Sequence, residues 1–348
     1  MALVHSFTHF TQTDIFLTAA EKKGWNIQVL SKNPYPLAEI SKNALYYRIF
    51  SETLSLNIST SSTISRNKYV TQLMFQKFLP EYATDAQIFF IDKLSDTEIQ
   101  QLLKKHHRLV VKPVDGNNGV GVSTNLQTID QVRAAIETVR QLHTNLVLIE
   151  NHIDTTSEYR IILWKGQILD VLERIPAYII GDGQHSVQEL IDQKNQYRQS
   201  HFDIAFSPID IDHNVFFTLN QNGFTLGTIL KKNQRLQLKP TCNFSRGGEV
   251  KRVPIHTIHP KYIQAFLKIY QITWQTYTGV DLITPDISKT PVLGKTVINE
   301  LNSGPQPDLT FYDDLIQGTP FEGMYHILEK MEIDPVKAAP DEFIGLKQ

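Results

Sequence analysis

The chain has 348 residues, 41% of them hydrophobic, and its 34 Lys and Arg nearly balance its 36 Asp and Glu. This length can bury a large core in two or three units. The balanced charge argues against nucleic acid and against a membrane surface as partners. Cys242 is the only cysteine, which excludes a disulfide framework and a thiolate metal cage within one chain. The chain shows no signal peptide and no apolar run long enough to span a bilayer, and these features predict a cytoplasmic protein.

The first 80 residues predict a short α/β unit followed by a helix. Apolar spacing predicts a helix over 14–23, strands over 25–30 and 45–50, and a helix over 66–78. The Ser- and Thr-rich stretch 57–65 is typical of a solvated connecting loop. Lys68 falls in the first turn of the last helix, and Pro80 stops that helix.

The next 70 residues alternate strands with helices, which indicates an α+β or α/β protein and not a helix bundle. Strands are predicted over 88–91 and 145–150, and helices over 95–105 and 128–143. Ser95 with Glu98 has the spacing of a capping box at the start of the first helix. In the second helix the apolar residues, among them Val132 and Ile136, share one face.

A glycine-rich stretch, LVVKPVDGNNGVGVST, lies at 109–124 between these helices. The residues that follow Lys112 include Gly116, Asn117, Asn118, Gly119 and Gly121. Closely spaced glycines let backbone N–H groups turn toward an anion, and a lysine beside them adds a positive charge. An ordinary hairpin with a glycine-rich tip is an equally open interpretation of this stretch alone.

After residue 150 the pattern changes to sheet. A long hairpin is predicted over 159–175, with Lys165 and Gly166 at its turn. The elements predicted beyond it are a strand ending at 181–183, a helix over 186–195, two short strands within 216–239, a second glycine-rich loop at 246–249, a long helix over 259–277 and strands over 279–283 and 296–301.

Three oxygen-bearing side chains lie in the last two of these strands. Asp281 falls inside an apolar run, where an unpaired carboxylate would be costly. Glu300 and Asn302 are two residues apart and therefore project from one face of a strand. Oxygen ligands of this kind suit Mg²⁺. The alternative is that the two acids pair with Arg or Lys.

Six segments together resemble the ATP-grasp family over about residues 67–308, closest to the branch that holds the ATP-grasp domains of cyanophycin synthetase and bifunctional glutathione synthetase. They are NKYVTQLM, VVKPVDGNNGVGV, the run from VLIENHID to QELI, FSRGGE, GVDLITPDI and VINELN. The resemblance implies two α+β lobes that grip ATP, preceded by a short N-terminal α/β domain. The expected divisions are 1–80, the small lobe 81–150, the large lobe 151–330 and a C-terminal tail 331–348.

The resemblance also implies roles for individual residues. Lys68 and Lys112 match the lysines that reach the nucleotide phosphates, and 116–121 matches the loop that closes over them. The strand end Glu150, Asn151 and His152 is similar to the linker that holds the adenine, and Glu158 to the acid that binds the ribose. The resemblance places Arg160 and Arg174 where phosphate or a substrate carboxylate is held, and Asp281, Glu300 and Asn302 at metal-ligand positions.

The activity implied is an ATP-dependent ligase that joins a carboxylate to an amine through an acyl phosphate, on amino acids or short peptides. ATP and two Mg²⁺ ions are the implied cofactors, with Mn²⁺ as an alternative ion. A small-molecule kinase and a non-catalytic nucleotide-binding partner protein remain as alternatives. The N-terminal domain is short for this family, so a second subunit could complete the substrate wall in a homodimer.

Two places depart from the pattern of the resembling branch. After Asn302 the chain continues Ser-Gly-Pro-Gln-Pro-Asp in place of small residues with a Pro-Gly pair. In the second glycine-rich loop, Arg246 stands where a small residue is common. Arg246 could bind an acidic substrate as part of the catalytic set, or it could order a surface loop. The identity of the substrates therefore stays open.

Overall fold

The computed structural model describes residues 12–31, 36–50, 53–115, 120–154, 157–200, 208–239, 241–242, 246–305, 314, 319 and 321–336. The predicted loop residues Gly116, Asn117, Asn118 and Gly119 lie outside these ranges, as does the tail beyond residue 336.

The N-terminal unit is a four-stranded antiparallel sheet covered by helices from both ends of the chain. Its elements are α1 (Gln12–Lys22), β1 (Asn26–Ser31), β2 (Leu37–Lys42), β3 (Leu45–Phe50) and β4 (Thr53–Leu54), and the strands pair in that order. The predicted α1, β1 and β3 are confirmed. The sequence analysis missed β2, because Pro34 and Pro36 precede it closely and hid a strand whose Ala38 and Ile40 are buried.

The small lobe is a four-stranded antiparallel sheet with two helices on one face. It contains β5 (Gln87–Phe90), α4 (Asp96–His106), β6 (Leu109–Lys112), β7 (Ser123–Leu126), α5 (Ile129–Arg140) and β8 (Leu146–Asn151), with strand order β5-β8-β6-β7. The predicted capping box is confirmed, since the Ser95 hydroxyl accepts from Glu98 N and the Glu98 carboxylate accepts from Ser95 N. Val132, Ile136 and Val139 form the predicted buried face of α5.

The large lobe is a five-stranded antiparallel sheet. It contains β9 (Glu158–Trp164), β10 (Gln167–Ile175), β13 (Glu249–Arg252), β14 (Tyr277–Ile283) and β15 (Val297–Asn302), with strand order β13-β10-β9-β14-β15. Two helices, α3 (Lys68–Phe78) and α8 (Pro260–Thr273), cover its back face. The predicted hairpin is confirmed, with positive φ at Lys165 and Gly166 in the turn.

A smaller unit lies between β10 and β13. Its elements are β11 (Tyr178–Ile180), α6 (Val187–Ser200), α7 (His213–Gln221) and β12 (Arg235–Gln237), and β11 pairs with β12. The unit has its own core, which includes Ile179, Val187, Ile191 and Val215.

The prediction of a solvated loop at 57–65 was wrong, because this stretch forms α2 (Ser59–Arg66). The Ser61 hydroxyl donates to Thr273 O at 2.6 Å, and both Ser61 and Ser65 are buried. Small hydroxylated side chains let the helix approach its neighbours closely and bond to their backbone, so tertiary contacts override a weak helix propensity.

The prediction of two short strands within 216–239 was partly wrong, because this range contains one strand, β12, and begins inside α7. Asp212 caps α7 by accepting from Asn214 N and Val215 N, and this cap starts a helix where the sequence suggested strand. The helix buries Val215 and Leu219, four residues apart, which is a helical and not an alternating spacing.

Two helices differ from their predicted extent or face. The helix predicted over 259–277 ends at Thr273, where Trp274 takes a left-handed conformation with φ 54° and releases the chain into β14. In α3 the predicted apolar residues Leu73 and Phe78 are exposed, whereas Thr71 and Gln72 are buried.

A C-terminal helix, α9 (Glu322–Ile333), ties the N-terminal unit to the large lobe. It buries Met324, Leu328 and Met331 against both. Beyond it, Asp334 accepts from Trp164 Nε1 at 3.0 Å and pairs with Lys165 Nζ at 2.5 Å. The predicted divisions at residues 80, 150 and 330 stay predictions, and the last falls inside this helix. No helix in the described ranges is long and apolar enough to cross a membrane.

We predict that Leu328→Ala lowers the free energy of unfolding by about 2–5 kcal/mol, because it opens a cavity where α9 meets the N-terminal sheet. Urea unfolding measures this change. Glu329→Ala on the exposed side of the same helix is the matched control and should change stability by less than about 0.5 kcal/mol. Equal effects of the two substitutions on the free energy of unfolding would contradict the prediction that burial of Leu328 stabilises the fold.

Candidate nucleotide and metal site

The front face of the large-lobe sheet carries a row of charged side chains across neighbouring strands. On β9, Tyr159, Ile161 and Leu163 face the core under α3 and α8, so Glu158 and Arg160 face the front. The strand register sets Asp281 opposite Arg160 on one side and opposite Glu300 on the other. Alternation and register therefore gather residues that are far apart in the sequence.

Asp281 is buried between two arginines. Its carboxylate accepts from Arg160 Nε at 2.5 Å and Arg160 Nη2 at 3.1 Å, and from Arg174 Nη1 at 3.2 Å. Burial opposes ionisation of this carboxyl, but the attraction of Arg160 and Arg174 outweighs burial and lowers the pKa of Asp281. The structure thus realises the arginine pairing that the sequence left as an alternative for Asp281.

Glu158 completes this ion cluster on β9. It accepts from Arg174 Nη1 at 2.6 Å, and the thiol of Cys242 lies beside it. Burial is the main cause that raises the pKa of Glu158, and the nearby charge of Asp281 adds to it. The same burial, with the charge of Glu158, raises the pKa of the Cys242 thiol, so this cysteine is not an activated nucleophile.

Glu300 lies at the other side of Asp281. Burial and the charge of Asp281 raise the pKa of Glu300 to about 7, and a hydrogen bond joins the two carboxyl groups. The ammonium of Lys68 lies 3.7 Å from Glu300 Oε2. Two carboxyl groups so close cannot both ionise easily, so a cation beside them would favour the ionised form of Glu300.

The predicted metal ligands fit a hard dication in part. Glu300 and Asn302 project from the same face, and the buried Nδ2 atom of Asn302 has no hydrogen-bond partner among the described residues. Both oxygens of Asp281 already accept from arginines. No cluster of three or more His, Cys, Asp or Glu suited to a metal occurs among the described residues. The donor set suits an ion whose remaining ligands come from phosphate oxygens.

Lys112 lies at the end of β6 and is buried with Glu150 of β8. Its Nζ is 2.5 Å from Glu150 Oε1 and donates to Asn299 Oδ1 at 3.2 Å. The other oxygen of Glu150 accepts from Thr84 Oγ1 at 2.8 Å. The sequence analysis placed Glu150 in the adenine linker and did not single out Asn299 or Thr84. A polar residue directly before Glu300 was the signal that could have drawn attention to Asn299.

The strand end after Glu150 is held by one backbone bond and one side-chain bond. His152 N donates to Arg108 O at 3.0 Å, and the Asn151 side chain accepts from Asp85 N at 2.8 Å. Burial, aided by the positive charge of Arg108, lowers the pKa of His152. This fixed, extended backbone is compatible with the predicted adenine linker.

The two glycine-rich loops are only partly described. Gly121 has φ 72°, and a Cβ there would lie 2.7 Å from Leu142 Cδ1. In the second loop, Gly247 has φ 92° and a Cβ would meet Ile209 at 2.5 Å. Arg246, directly before it, is half-buried. Substitution at either glycine is therefore strained, which explains why the glycines stand at these two turns.

Comparison with known proteins agrees with this architecture. The family model for the prokaryotic glutathione synthetase ATP-grasp domain matches residues 93–196. The crystal structure of a bifunctional glutathione synthetase from Pasteurella multocida superposes on 92% of this chain and 43% of its own, with a TM-score of 0.64 and 23% identity. This chain has an ATP-grasp fold. The α+β architecture expected from the sequence is thereby confirmed.

Two curated relatives show how far along the chain the sequence similarity extends. Cyanophycin synthetase of Trichormus variabilis is 30% identical over 200 residues, which are 57% of this chain and 22% of that protein. The glutathione biosynthesis bifunctional protein GshAB of Mannheimia succiniciproducens is 27% identical over 306 residues, 84% of this chain and 39% of that protein. The chain therefore spans less than half the length of each.

We predict that the free energy of unfolding of Glu300→Gln, minus that of wild type, increases as the pH rises from about 5 to about 8. Folded Glu300 keeps its proton to about pH 7, whereas an unfolded glutamate releases it near pH ~4.3. The folded state holds the extra proton in this window, so wild-type stability falls as pH rises through it. Gln carries no such ionisation.

Urea unfolding across this pH range, with divalent ions removed by EDTA, measures the difference. Glu81→Gln on the exposed surface is the matched control. A difference between Glu300→Gln and wild type that stays constant over the range would contradict the electrostatic account.

Proposed function

We propose that this protein is an ATP-dependent ligase that joins a carboxylate to an amine through an acyl phosphate. The observation that carries the proposal is the charge row on the front of the sheet. There Glu300 lies between Asp281 and Lys68, beside the paired Arg160 and Arg174. Two of the relatives named above are synthetases, and the described site offers cations and oxygen ligands but no activated nucleophile.

The nucleotide would lie between the lobes. Lys68 and Lys112 would bind its phosphates, with the glycines at 116–121 closing over them. The backbone at 150–152 would hold the adenine and Glu158 the ribose hydroxyls. Support comes from the positions of the two lysines, since Lys68 lies within ion-pair distance of Glu300 and Lys112 bonds to the adjacent Asn299. Both ammonium groups therefore flank the strand of the proposed metal ligands.

Glu300 and Asn302, with Asp281 beside them, would hold divalent ions together with the phosphates. Magnesium is the ion we infer, with two ions as the expected number and manganese as an alternative. Such an ion neutralises phosphate charge when bound. The chain's own contribution is the pairing of Asp281 with arginines, which keeps that carboxylate ionised and correctly oriented.

The chemistry has two steps. A carboxylate oxygen of the substrate bonds to the γ-phosphorus while the bond between that phosphorus and ADP breaks, which gives an acyl phosphate. An amine then attacks the carbonyl carbon, inorganic phosphate leaves, and the amine loses a proton to give the amide. Arg160 and Arg174 would hold the phosphoryl group or the carboxylate, for which a planar guanidinium is suited. Positioning and charge neutralisation suffice for such a transfer.

Amino acids or short peptides are the substrates we infer. Arg246 has a half-buried side chain directly before Gly247 in the second glycine-rich loop and is our candidate for binding the acidic group of a substrate. A cytoplasmic location, and a homodimer in which a second copy completes the substrate wall, belong to the same proposal.

We expect ADP to form with Mg²⁺ and ATP only when an amino acid or dipeptide is supplied together with an amine partner. Mass spectrometry should then find a product at the summed mass less water. Glu300→Gln should lower turnover at least about a hundredfold, because it removes an anionic ligand without changing volume. A phosphorylated acid as the final product would favour a kinase, and ATP binding without ADP formation would favour a non-catalytic module.

We further expect Arg246→Gln to raise the KM of the carboxylate substrate about tenfold while leaving the KM of ATP unchanged, because it removes a charged hydrogen-bond donor. Steady-state kinetics on the pair identified above measure both constants. Lys251→Gln, an exposed cation on the adjacent β13, is the matched control. An unchanged KM for both substrates would assign Arg246 to loop ordering.

A further inference from the structure

A closed ring of hydrogen bonds joins the lysine of the glycine-rich strand to the strand of the proposed metal ligands. Lys112 Nζ pairs with Glu150 Oε1 and donates to Asn299 Oδ1. Thr84 Oγ1 donates to Glu150 Oε2, and Thr84 N donates to Gln72 Oε1 at 3.0 Å. Gln72 Nε2 donates to Asn299 O at 3.1 Å, which closes the ring.

A β-bulge directs the side chain of Asn299 into this ring. The register of β14 and β15 pairs Asp281 with Glu300 and Leu282 with Ile298, so Asn299 is the extra residue between them. Ile298 faces the core and Glu300 the front of the sheet, and the unpaired bulge residue turns its side chain to Lys112 instead. Bulges commonly redirect a side chain in this way beside functional sites.

Four of the five residues of the ring are buried and Asn299 is half-buried, which makes the completeness of the ring matter. Gln72 is fully buried, and Thr84, Lys112 and Glu150 expose 3–4% of their surface. Removing one partner from a buried charged network leaves the others unsatisfied and costs more than the bond itself contributes. The Lys112 ammonium has three N–H donors, and two of them bond to Glu150 and Asn299 among the described residues. The third donor can therefore reach a phosphate oxygen.

The ring also spans the cleft between the lobes. Lys112 and Glu150 belong to β6 and β8 of the small lobe, whereas Asn299 belongs to β15 of the large lobe. Gln72 lies on α3, whose first residue Lys68 donates its backbone N–H to Val114 O near the end of β6. One network thus sets the position of a phosphate-binding lysine relative to the strand that carries Glu300.

We propose that Asn299 and Gln72 are positioning residues for the nucleotide, which hold the Lys112 ammonium in place across the two lobes. The proposal rests on the proposed function only in that Lys112 binds a nucleotide phosphate. Neither residue needs to touch the nucleotide. Asn299 orients the ammonium directly. The side-chain amide of Gln72 holds Asn299 through its nitrogen and Thr84 through its oxygen.

The test compares ATP with adenosine, which lacks the phosphates. Isothermal titration with Asn299→Leu and with Gln72→Met should show ATP binding about tenfold weaker than wild type. Asn299→Leu removes the acceptor of the Lys112 ammonium, and Gln72→Met removes the bond that holds Asn299 in place. Adenosine binding should not change. Gln76→Met is the matched control, because Gln76 lies one turn along α3 and donates to Thr84 O and Ala86 O without joining the ring.

A double-mutant cycle separates positioning from structural damage. In a background of Lys112→Met with Glu150→Gln, which removes both charges, Asn299→Leu should no longer weaken ATP binding. Gln72→Met carries the test if Asn299→Leu does not fold. The proposal is overturned if both variants bind ATP as wild type does, or if they lose ATP and adenosine equally. Failure of the wild type itself to bind ATP would instead overturn the proposed function.

Discussion

The arrangement of this site depends on one constraint, the need to pair charges that a folded sheet has buried. Asp281 lies in the middle of the large-lobe sheet, where an unpaired carboxylate would cost several kcal/mol. Two arginines satisfy it, one from β9 and one from β10, and the second also reaches Glu158. Each side chain is thereby fixed by its neighbours. The charges are positioned by the sheet before any ligand is present, which is the condition for electrostatic catalysis to need little reorganisation.

Space on this face is as constrained as charge. A Cβ at Gly279 would lie 2.9 Å from Pro305 Cβ and 3.3 Å from both Arg160 Nη1 and Asn302 Cβ. The missing side chain therefore leaves room for the arginine that pairs Asp281 and for the segment after Asn302. The glycine in GVDLITPDI thus serves the neighbouring side chains, since its own conformation is that of an ordinary strand.

The sequence was sufficient for elements whose local pattern agrees with their final surroundings. The capping box of α4, the apolar face of α5 and the β9–β10 hairpin all have short-range signals that the fold keeps. It was insufficient where distant contacts decide. The Ser- and Thr-rich α2 is a helix because Ser61 bonds to Thr273, and α7 is a helix because its apolar spacing acts with the Asp212 cap. The predicted site residues were found by family motif, whereas the pairing partners Thr84, Gln72 and Asn299 depend on register and burial that no short motif encodes.

The strand β15 shows how much one irregularity can contribute. A regular strand offers two faces, and here they are occupied by Ile298 and Leu301 toward the core and by Glu300 and Asn302 toward the front. The odd spacing between Ile298 and Leu301 is possible only because the bulge shifts the alternation by one residue. The side chain of that extra residue, Asn299, points in a third direction, toward Lys112. A strand of six residues can therefore complete a core, present an acid and an amide to the front of the sheet and bond to a lysine of the opposite lobe.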